Sequence, residues 1–253
     1  MQLRWQLPIA LRSHSIWVKK LFLCSLALTA LIACNQTTSK EQAGNPDGQE
    51  AIAEIISLNF DNEDFYTADG QFDEEAAKDA VITLMKYYNY PVTAKTRGQI
   101  WVSDYGTGRY AELGLACIGY ANSLDDGYML QDLFLLPGQM LPEHWHEKIN
   151  KYPAKLEGWL VRNGKSYIVG VGEDNLADYP EIQIPACHEN GTVTVKNVTP
   201  TGIGEFVPLK QVLTHHWQYA GEEGAIITEV ANGHVNEAVR HLDKKINDHF
   251  LSK

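Results

Sequence analysis

Two histidines at an alternating spacing are the side chains of this chain that most directly indicate chemistry. His144 and His146 lie in the segment 142–146, Pro-Glu-His-Trp-His. On a β-strand, side chains two positions apart project from the same face, so both imidazoles would point to one side. Glu157 follows eleven positions after His146 and is expected on a pairing strand, from which it can reach the same point. Two imidazoles and a carboxylate are typical ligands of a divalent transition metal.

A fourth ligand is expected from a later part of the chain. The segment 214–217, Thr-His-His-Trp, offers His215 and His216, and either could supply it. Histidine pairs also arise by chance in a chain with nine histidines, so the pair at 144 and 146 alone is equally consistent with structural side chains. The carboxylate and the later histidine together favour a metal site.

The first 33 residues read as an export signal. They contain four basic residues, Arg4, Arg12, Lys19 and Lys20. These precede an apolar run, 21–33, that is short for a membrane span. The run ends in Leu-Ile-Ala-Cys at 31–34, which resembles a bacterial lipobox and predicts lipidation of Cys34. With Asn35 next, we expect a cell-envelope protein anchored by lipid, on the outer membrane facing the periplasm. An uncleaved signal anchor is the alternative.

Charge and composition limit the partners and the domain count. The net charge is −11, and loss of residues 1–33 would change it to −15, since that segment carries four positive and no negative charges. Such acidity excludes nucleic acid and anionic headgroups as favoured partners, so membrane contact is expected through the lipid anchor only. Residues 34–53 are polar and predict a flexible tether. Residues 54–253 suit one domain, in which Cys117 and Cys187 are either a disulfide or two buried thiols.

The periodicity predicts a mainly β domain with a helix at each end. Residues 73–88 form the first predicted helix, with acidic residues in its first turn and an apolar stripe from Ala77 to Tyr88. Val235–Phe250 is the second, because apolar residues recur there at helical spacing. Short apolar stretches separated by turn residues predict a sandwich or barrel. The predicted strands are Ala111–Ala121, Asp132–Leu136, Trp159–Val161, Ser166–Val171, Thr192–Val198 and Ala225–Val230.

Four stretches resemble the D-lyxose ketol-isomerase family of cupin sugar isomerases. They are 104–108 with Gly114-Leu115 (DYGTG…GL), 136–146 (LPGQ…PEHWH), 155–164 (KLE…RNG), and 216–229 (HWQYAGEEGA…TE). Each motif is weak alone, but their order and spacing are specific, and together with the first helix they cover roughly residues 75–230. The resemblance implies a single cupin barrel, also called a double-stranded β-helix or jelly roll, and possible homodimers.

The family resemblance also implies an activity and a metal. The activity is aldose–ketose isomerisation of a sugar, D-lyxose to D-xylulose or D-mannose to D-fructose, through a cis-enediol. The implied metal ligands are His144, His146, Glu157 and His216, and the motif selects His216 over His215. The implied metal is Mn²⁺, although Fe²⁺, Co²⁺ or Zn²⁺ suit the same imidazole and carboxylate ligands.

The resemblance suggests roles for residues around the metal. Glu229 matches a family acid and is the first candidate for the base that moves the proton between C2 and C1. Lys155, two positions before Glu157, is the second catalytic candidate, since it would share the face of that ligand. Arg162, Tyr105 and Trp217 are candidates for substrate binding or for bracing the pocket. Each residue also has a structural alternative. Lys155 could be a surface lysine, Glu229 a paired structural acid, and the other three ordinary packing residues.

The chain departs from the family pattern in regions expected to rim the barrel. The segment after Glu229 opens what reads as a helix at 233–235, and the loop 147–153 lacks the usual Pro/Gly composition. These departures leave the identity of the sugar open. They are also consistent with a second hypothesis, in which the protein is a non-catalytic cupin lipoprotein that binds a sugar or a metal. A metal-dependent dioxygenase is a third, because cupin centres also support oxygen chemistry.

Overall fold

A computed structural model describes residues 56–252. The predicted signal peptide, Cys34 and the tether lie outside these residues, and their assignment stays a prediction. None of the helices in the described part is long and apolar enough to span a membrane. The helices are α1 (Glu74–Tyr87), α2 (Thr96–Gln99) and α3 (Lys244–Leu251), with 3-10 turns at Asn62–Phe65, Leu176–Asp178 and Asn236–Ala238. The strands are β1 (Trp101–Ser103), β2 (Leu115–Ser123), β3 (Tyr128–Leu135), β4 (Met140–His146), β5 (Glu157–Gly170), β6 (Asn197–Thr201), β7 (Phe206–Pro208), β8 (His216–Ala231) and β9 (Val239–His241).

The strands of the described chain form one curled antiparallel sheet. Its main path runs β1-β2-β3-β8-β4-β9, and β5 pairs with β6, β7 and β8. The long strand β8 is central, because it pairs with β4 near its start, with β3 near its end, and with β5 along most of its length. The prediction of a mainly β barrel with flanking helices is confirmed.

The last part of strand β3, Leu133–Leu135, is buried on both faces, which explains its run of apolar residues. Leu133 and Leu135 point into the barrel, where they pack with Trp159, Val161 and Ile227. Phe134, between them, packs on the outside against helix α1. Alternating side chains of a strand face opposite sides, so a strand covered on both sides must be apolar at every position.

Helix α1 forms where it was predicted, to within a residue at each end. The side chain of Asp73 accepts hydrogen bonds from the backbone N–H groups of Glu75 and Ala76, both at 3.0 Å. This N-cap satisfies donors that the first helical turn leaves without partners. The apolar stripe of the helix is buried against the outer face of the sheet.

Several strand boundaries differ from the prediction. The two strands predicted at Trp159–Val161 and Ser166–Val171 are one strand, β5, with register shifts at Val161/Asn163 and Gly164/Ser166. The strand predicted at Thr192–Val198 is wrong over most of its length, since β6 begins only at Asn197. The N–H of Thr194 instead donates to the buried Glu143 carboxylate at 2.7 Å, which holds this segment as a loop.

The continuous helix predicted at Val235–Phe250 is also wrong. Residues 239–241 form strand β9 along β4, and helix α3 begins only after Asp243. Asp243 accepts hydrogen bonds from the N–H groups of Lys245 (2.8 Å) and Ile246 (3.2 Å), so it acts as an N-cap. The apolar residues of this segment recur at helical spacing, but they are buried in two different ways. Val239 is buried by strand pairing, and Ile246 is buried by helix packing, so the spacing did not indicate one helix.

Both cysteines in the described part of the chain are free thiols. Cys117 lies on β2 and Cys187 in the loop before β6, and each is partly buried. The structure therefore agrees with the alternative of two separate thiols and not with a disulfide.

Two glycines allow β5 and β8 to bend past each other. Gly164 has a φ of +70° and Gly224 a φ of +72°, a backbone region that side chains with a Cβ atom rarely adopt. The residues also approach closely, because a Cβ atom on Gly164 would overlap the carbonyl oxygen of Gly224. Both belong to the family-like motifs, and their role there is structural.

We expect Gly164→Ala to destabilise the fold by about 3 kcal/mol, since the new methyl group meets backbone atoms in a strained conformation. Urea unfolding of the purified domain measures this change. Gly119→Ala is the matched control on β2, where a Cβ atom would meet nothing within 4 Å. Equal stability of the Gly164→Ala variant and the wild type would contradict this account of the bend.

Candidate metal centre and active site

Strands β4 and β8 present three histidines to the inside of the barrel. His144 and His146 alternate on β4, and His144 is the direct strand partner of His216 on β8. All three residues are buried. One ring nitrogen from each lies within 4.8 Å of those from the other two, an arrangement that could hold a metal ion.

Glu157 joins the histidines from a different direction than predicted. Its strand, β5, pairs with β6, β7 and β8 but not with β4, so the expectation of a pairing strand is wrong. The curl of the sheet brings its carboxylate to the histidines from across the barrel. Its Oε1 lies 3.1 Å from His146 Nε2 and 3.2 Å from His216 Nε2.

The hydrogen bonds of these residues leave the ring nitrogens free to bind a cation. Nδ1 of His144 donates to the Pro142 carbonyl at 2.8 Å, and Nδ1 of His216 donates to the Thr214 carbonyl at 3.0 Å. The protons are thus on Nδ1, and the Nε2 atoms keep their lone pairs, as in metal-binding histidines.

Three buried polar atoms at this point have no hydrogen-bond partner in the described chain. They are His146 Nε2, His216 Nε2 and Glu157 Oε1. Unpaired buried polar groups are costly, and three of them facing each other require an explanation. A divalent cation would satisfy all three at once, so the residues present fit a metal.

The ionisation states of the ligands also suit a cation. Burial, with the neighbouring imidazoles, lowers the pKa of His144 well below its ordinary value. Burial lowers the pKa of His146 to about 4. For Glu157 burial acts in the opposite direction, but the charge of Lys155, with the neighbouring His146 and His216, holds its pKa well below the usual range. At neutral pH His144 and His146 are therefore neutral and Glu157 is charged, the forms that bind metals.

Lys155 links the metal-type site to a second buried carboxylate. Its Nζ lies 2.8 Å from Glu157 Oε2 and also contacts Glu229 Oε1. Burial opposes the charge on Lys155, yet the two carboxylates raise its pKa above the ordinary value. Burial, followed by the charge of Glu157, raises the pKa of Glu229, while Lys155 acts against this shift. Gln131 Nε2 donates to the other Glu229 oxygen at 3.2 Å.

A cavity of about 260 Å³ opens directly beside these groups. His144, His146, Lys155 and Glu229 face it, together with Tyr105. A larger space of about 600 Å³ lies elsewhere, in a groove whose lining contains none of the candidate site residues. The smaller cavity is therefore where substrate chemistry would occur.

Two of the three predicted substrate-binding residues do not reach the cavity. Arg162 is exposed, because Val161 takes the inward position before the register shift in β5. Trp217 faces away from His216 on the same strand and packs with Met140 and Tyr167, with its Nε1 donating to the Val195 carbonyl at 2.9 Å. Trp217 braces the barrel wall, and neither residue lines the cavity.

The structure separates His215 from His216. Nδ1 of His215 lies 2.7 Å from Glu143 Oε1, and its ring stacks on Trp145 with centroids 4.2 Å apart. Glu143 and Trp145 alternate with the ligand histidines on β4 and face the outside of the barrel. His215 is thus part of an outer cluster, in agreement with the choice of His216 from the motif.

Among the cavity residues that sequence reasoning missed are Gln131, His234, His241 and Phe250. Two of these, His241 and Phe250, belong to the segment that was predicted to be one continuous helix. Burial lowers the pKa of His234 and of His241 to about 3. The sequence Val-Arg-His at 239–241 also fits a strand, but three residues do not decide between strand and helix, and pairing with β4 does.

The fold and its buried ligands define a cupin-type barrel with a site that could bind a metal. Among protein-family models, none matches the sequence. The chain is 32% identical over 169 residues to the D-lyxose/D-mannose isomerase of Thermosediminibacter oceani, covering 67% of this chain and 90% of that protein. It is 29% identical over 170 residues to the D-lyxose ketol-isomerase of Cohnella laeviribosi, again covering 67% and 90%. The chain therefore belongs to the D-lyxose ketol-isomerase family, and the prediction from the motifs is confirmed.

A solved structure supports the fold. The L-ribose isomerase of Cellulomonas parahominis superposes with a TM-score of 0.56 over 74% of this chain and 98% of that one. The two sequences are 14% identical, so the likeness shows the shared architecture.

In metal-free protein, we expect the free energy of unfolding to fall as the pH drops from about 7 to 4. The folded-state pKa values of His146, His234 and His241 lie at about 4, 3 and 3, below the ordinary value of about 6.5. In this window the unfolded chain binds more protons, so stability is complete above about pH 6.5 and is lost below it, by roughly 1 kcal/mol per pH unit for each histidine.

Urea unfolding in the presence of EDTA at several pH values measures this decline. His241→Phe should make it shallower, because one of the titrating groups is removed. A flat profile between about pH 7 and 5 would contradict the assignment of buried neutral imidazoles.

Proposed function

We propose that this protein is a metal-dependent aldose–ketose isomerase acting on a free sugar, with D-lyxose and D-mannose as the first candidate substrates. One observation carries the proposal: the buried unpaired atoms of His146, His216 and Glu157 lie beside the Lys155–Glu229 pair, which lines a cavity of about 260 Å³. Membership of the D-lyxose ketol-isomerase family supports the reaction class. The names of the two relatives support the choice of sugars.

His144, His146, Glu157 and His216 would hold the cation. Mn²⁺ is the first candidate, and Fe²⁺, Co²⁺ and Zn²⁺ suit the same ligands. When bound, the cation supplies a Lewis acid for the sugar oxygens at C1 and C2. The Pro142 and Thr214 carbonyls orient two of the imidazoles, so the ligand set is arranged before binding.

Glu229 is the proposed base. It takes the proton from C2 of the open-chain aldose and returns it to C1, while a second proton passes from O2 to O1. Together these transfers convert the aldose into the ketose through the cis-enediol. Its raised pKa makes it a stronger base than an exposed glutamate. Gln131 and Lys155 each hold one of its oxygens, which fixes the direction of the carboxylate.

Lys155 has two proposed roles in the cavity. Its positive charge keeps Glu157 and Glu229 ionised side by side, since two buried carboxylates would otherwise repel each other. Its ammonium group faces the cavity and would stabilise negative charge on the sugar oxygens or pass a proton to them. The cavity, about 260 Å³, is smaller than the roughly 300–1,000 Å³ of typical ligand pockets, which favours a single monosaccharide.

The envelope location, the lipid anchor at Cys34 and the homodimer remain predictions. The residues that would carry the anchor lie outside the described part of the chain. The acidic charge and the cavity favour a small neutral sugar as the partner of the domain.

We expect Glu229→Gln to lower kcat for D-lyxose by about 10²- to 10⁴-fold while leaving the metal content unchanged, because the variant loses the base and keeps every ligand. The assay measures D-xylulose formation with Mn²⁺ present, and EDTA should abolish it. Glu222→Gln, an exposed position on the same strand, is the control and should retain full activity.

The outcomes separate the hypotheses. A metal-loaded wild-type protein that converts no aldopentose and no aldohexose would exclude an isomerase and leave a binding protein. Wild-type activity in the Glu229→Gln variant would reject Glu229 as the base and require another group in the cavity.

A further inference from the structure

The C-terminal segment, residues 232–252, completes the wall of the cavity. Strand β9 pairs with β4, and His241 is the direct strand partner of His144. The N–H of Leu242 donates to the Glu143 carbonyl at 3.0 Å, which continues the pairing beyond β9. Phe250, on helix α3, closes the same side of the cavity. This segment lies beyond the stretches that resemble the family.

His241 is buried in this wall with both ring nitrogens unused. Its exposed fraction is 5%, and neither Nδ1 nor Nε2 has a hydrogen-bond partner in the described chain. Its ring packs edge-on against Tyr105 (centroids 5.2 Å apart) and Phe250 (5.1 Å). These contacts fix the orientation of the ring but satisfy no polar atom.

His241 does not belong to the metal-type group. The three histidines whose ligand atoms cluster within 4.8 Å are His144, His146 and His216. The ring of His241 lies next to that group, with its centroid 5.7 Å from that of His144. The residue lines the same cavity, beside the reacting centre.

We propose that His241 binds the substrate through a hydrogen bond to a hydroxyl group on a sugar carbon beyond C1 and C2. This inference rests on the proposed function and names the residue that recognises the far end of the sugar. A buried imidazole that leaves a donor and an acceptor unpaired is costly without a ligand. A hydroxyl group can accept from one nitrogen or donate to the other, and either bond would offset that cost.

An imidazole packed against the Tyr105 and Phe250 rings offers hydrogen-bonding nitrogens in a mainly apolar setting, which suits the hydroxyl groups of a polyol. The substrate class is thus a free sugar. A site built to pair with a hydroxyl also rejects an analogue that lacks it, because its own polar groups are then left unpaired.

The test compares His241→Phe with wild type on D-lyxose and on its 3-, 4- and 5-deoxy derivatives. Phenylalanine keeps the ring packing against Tyr105 and Phe250 but removes both nitrogens. We expect kcat/KM for D-lyxose to fall by about 10- to 100-fold, and for one deoxy sugar to change by less than about 3-fold. Comparing the two proteins on the same sugar cancels differences in ring opening between sugars.

Two further variants control the interpretation. His241→Gln keeps a donor and an acceptor and should recover part of the activity on D-lyxose. Arg240→Gln alters the neighbouring residue of β9, whose side chain bonds to backbone carbonyls on the other face, and should leave the preference unchanged. Metal content, measured in parallel, should equal that of wild type in each protein.

Calorimetric titration with D-arabinitol, the sugar alcohol of D-lyxose, adds a readout without turnover. Weaker D-arabinitol binding by the His241→Phe variant would support the inference. An equal loss of kcat/KM on D-lyxose and all three deoxy sugars, or loss of metal, would overturn it. If wild type isomerises no aldose, the proposed function fails, and unchanged D-arabinitol binding by His241→Phe would then overturn this inference as well.

Discussion

The site depends on a sharp curl of the sheet between β5 and β8. Glu157 pairs with Ala231 at the end of β8, whereas His216 begins that strand. Fifteen residues of extended strand would separate these positions by about 50 Å. The Glu157 carboxylate nevertheless lies 3.2 Å from His216 Nε2. Gly164 and Gly224 occur where the register of β5 shifts, so the bend that assembles the ligands requires backbone conformations that glycine allows.

A single lysine balances the charges of two carboxylates that are buried side by side inside the barrel. Lys155 lies between Glu157 and Glu229 and contacts both, although all three groups are buried. It holds Glu157 in the charged form that a metal requires, while burial still raises the pKa of Glu229. The same ion pair thus connects the proposed ligand to the proposed base, and their different pKa shifts suit their different roles.

The sequence predicted the side chains of the site better than the strand that presents each one. Motif order and strand alternation were enough to predict which side chains come together. These side chains are His144, His146, Lys155, Glu157, His216 and Glu229. The position of Glu157 across the barrel could not be read locally, since long-range curl depends on how β8 pairs with β3, β4 and β5. His241 was missed because 239–241 satisfies both helical and strand spacing, and only pairing with β4 decides between them.

The most direct test is an anomalous-diffraction experiment on crystals of the domain, residues 54–253, loaded with Mn²⁺. The account predicts one strong peak within about 2.3 Å of the Nε2 atoms of His144, His146 and His216 and of Glu157 Oε1. No peak among these four atoms, or a peak bound by other residues, would contradict the claim that the curled sheet assembles a metal centre.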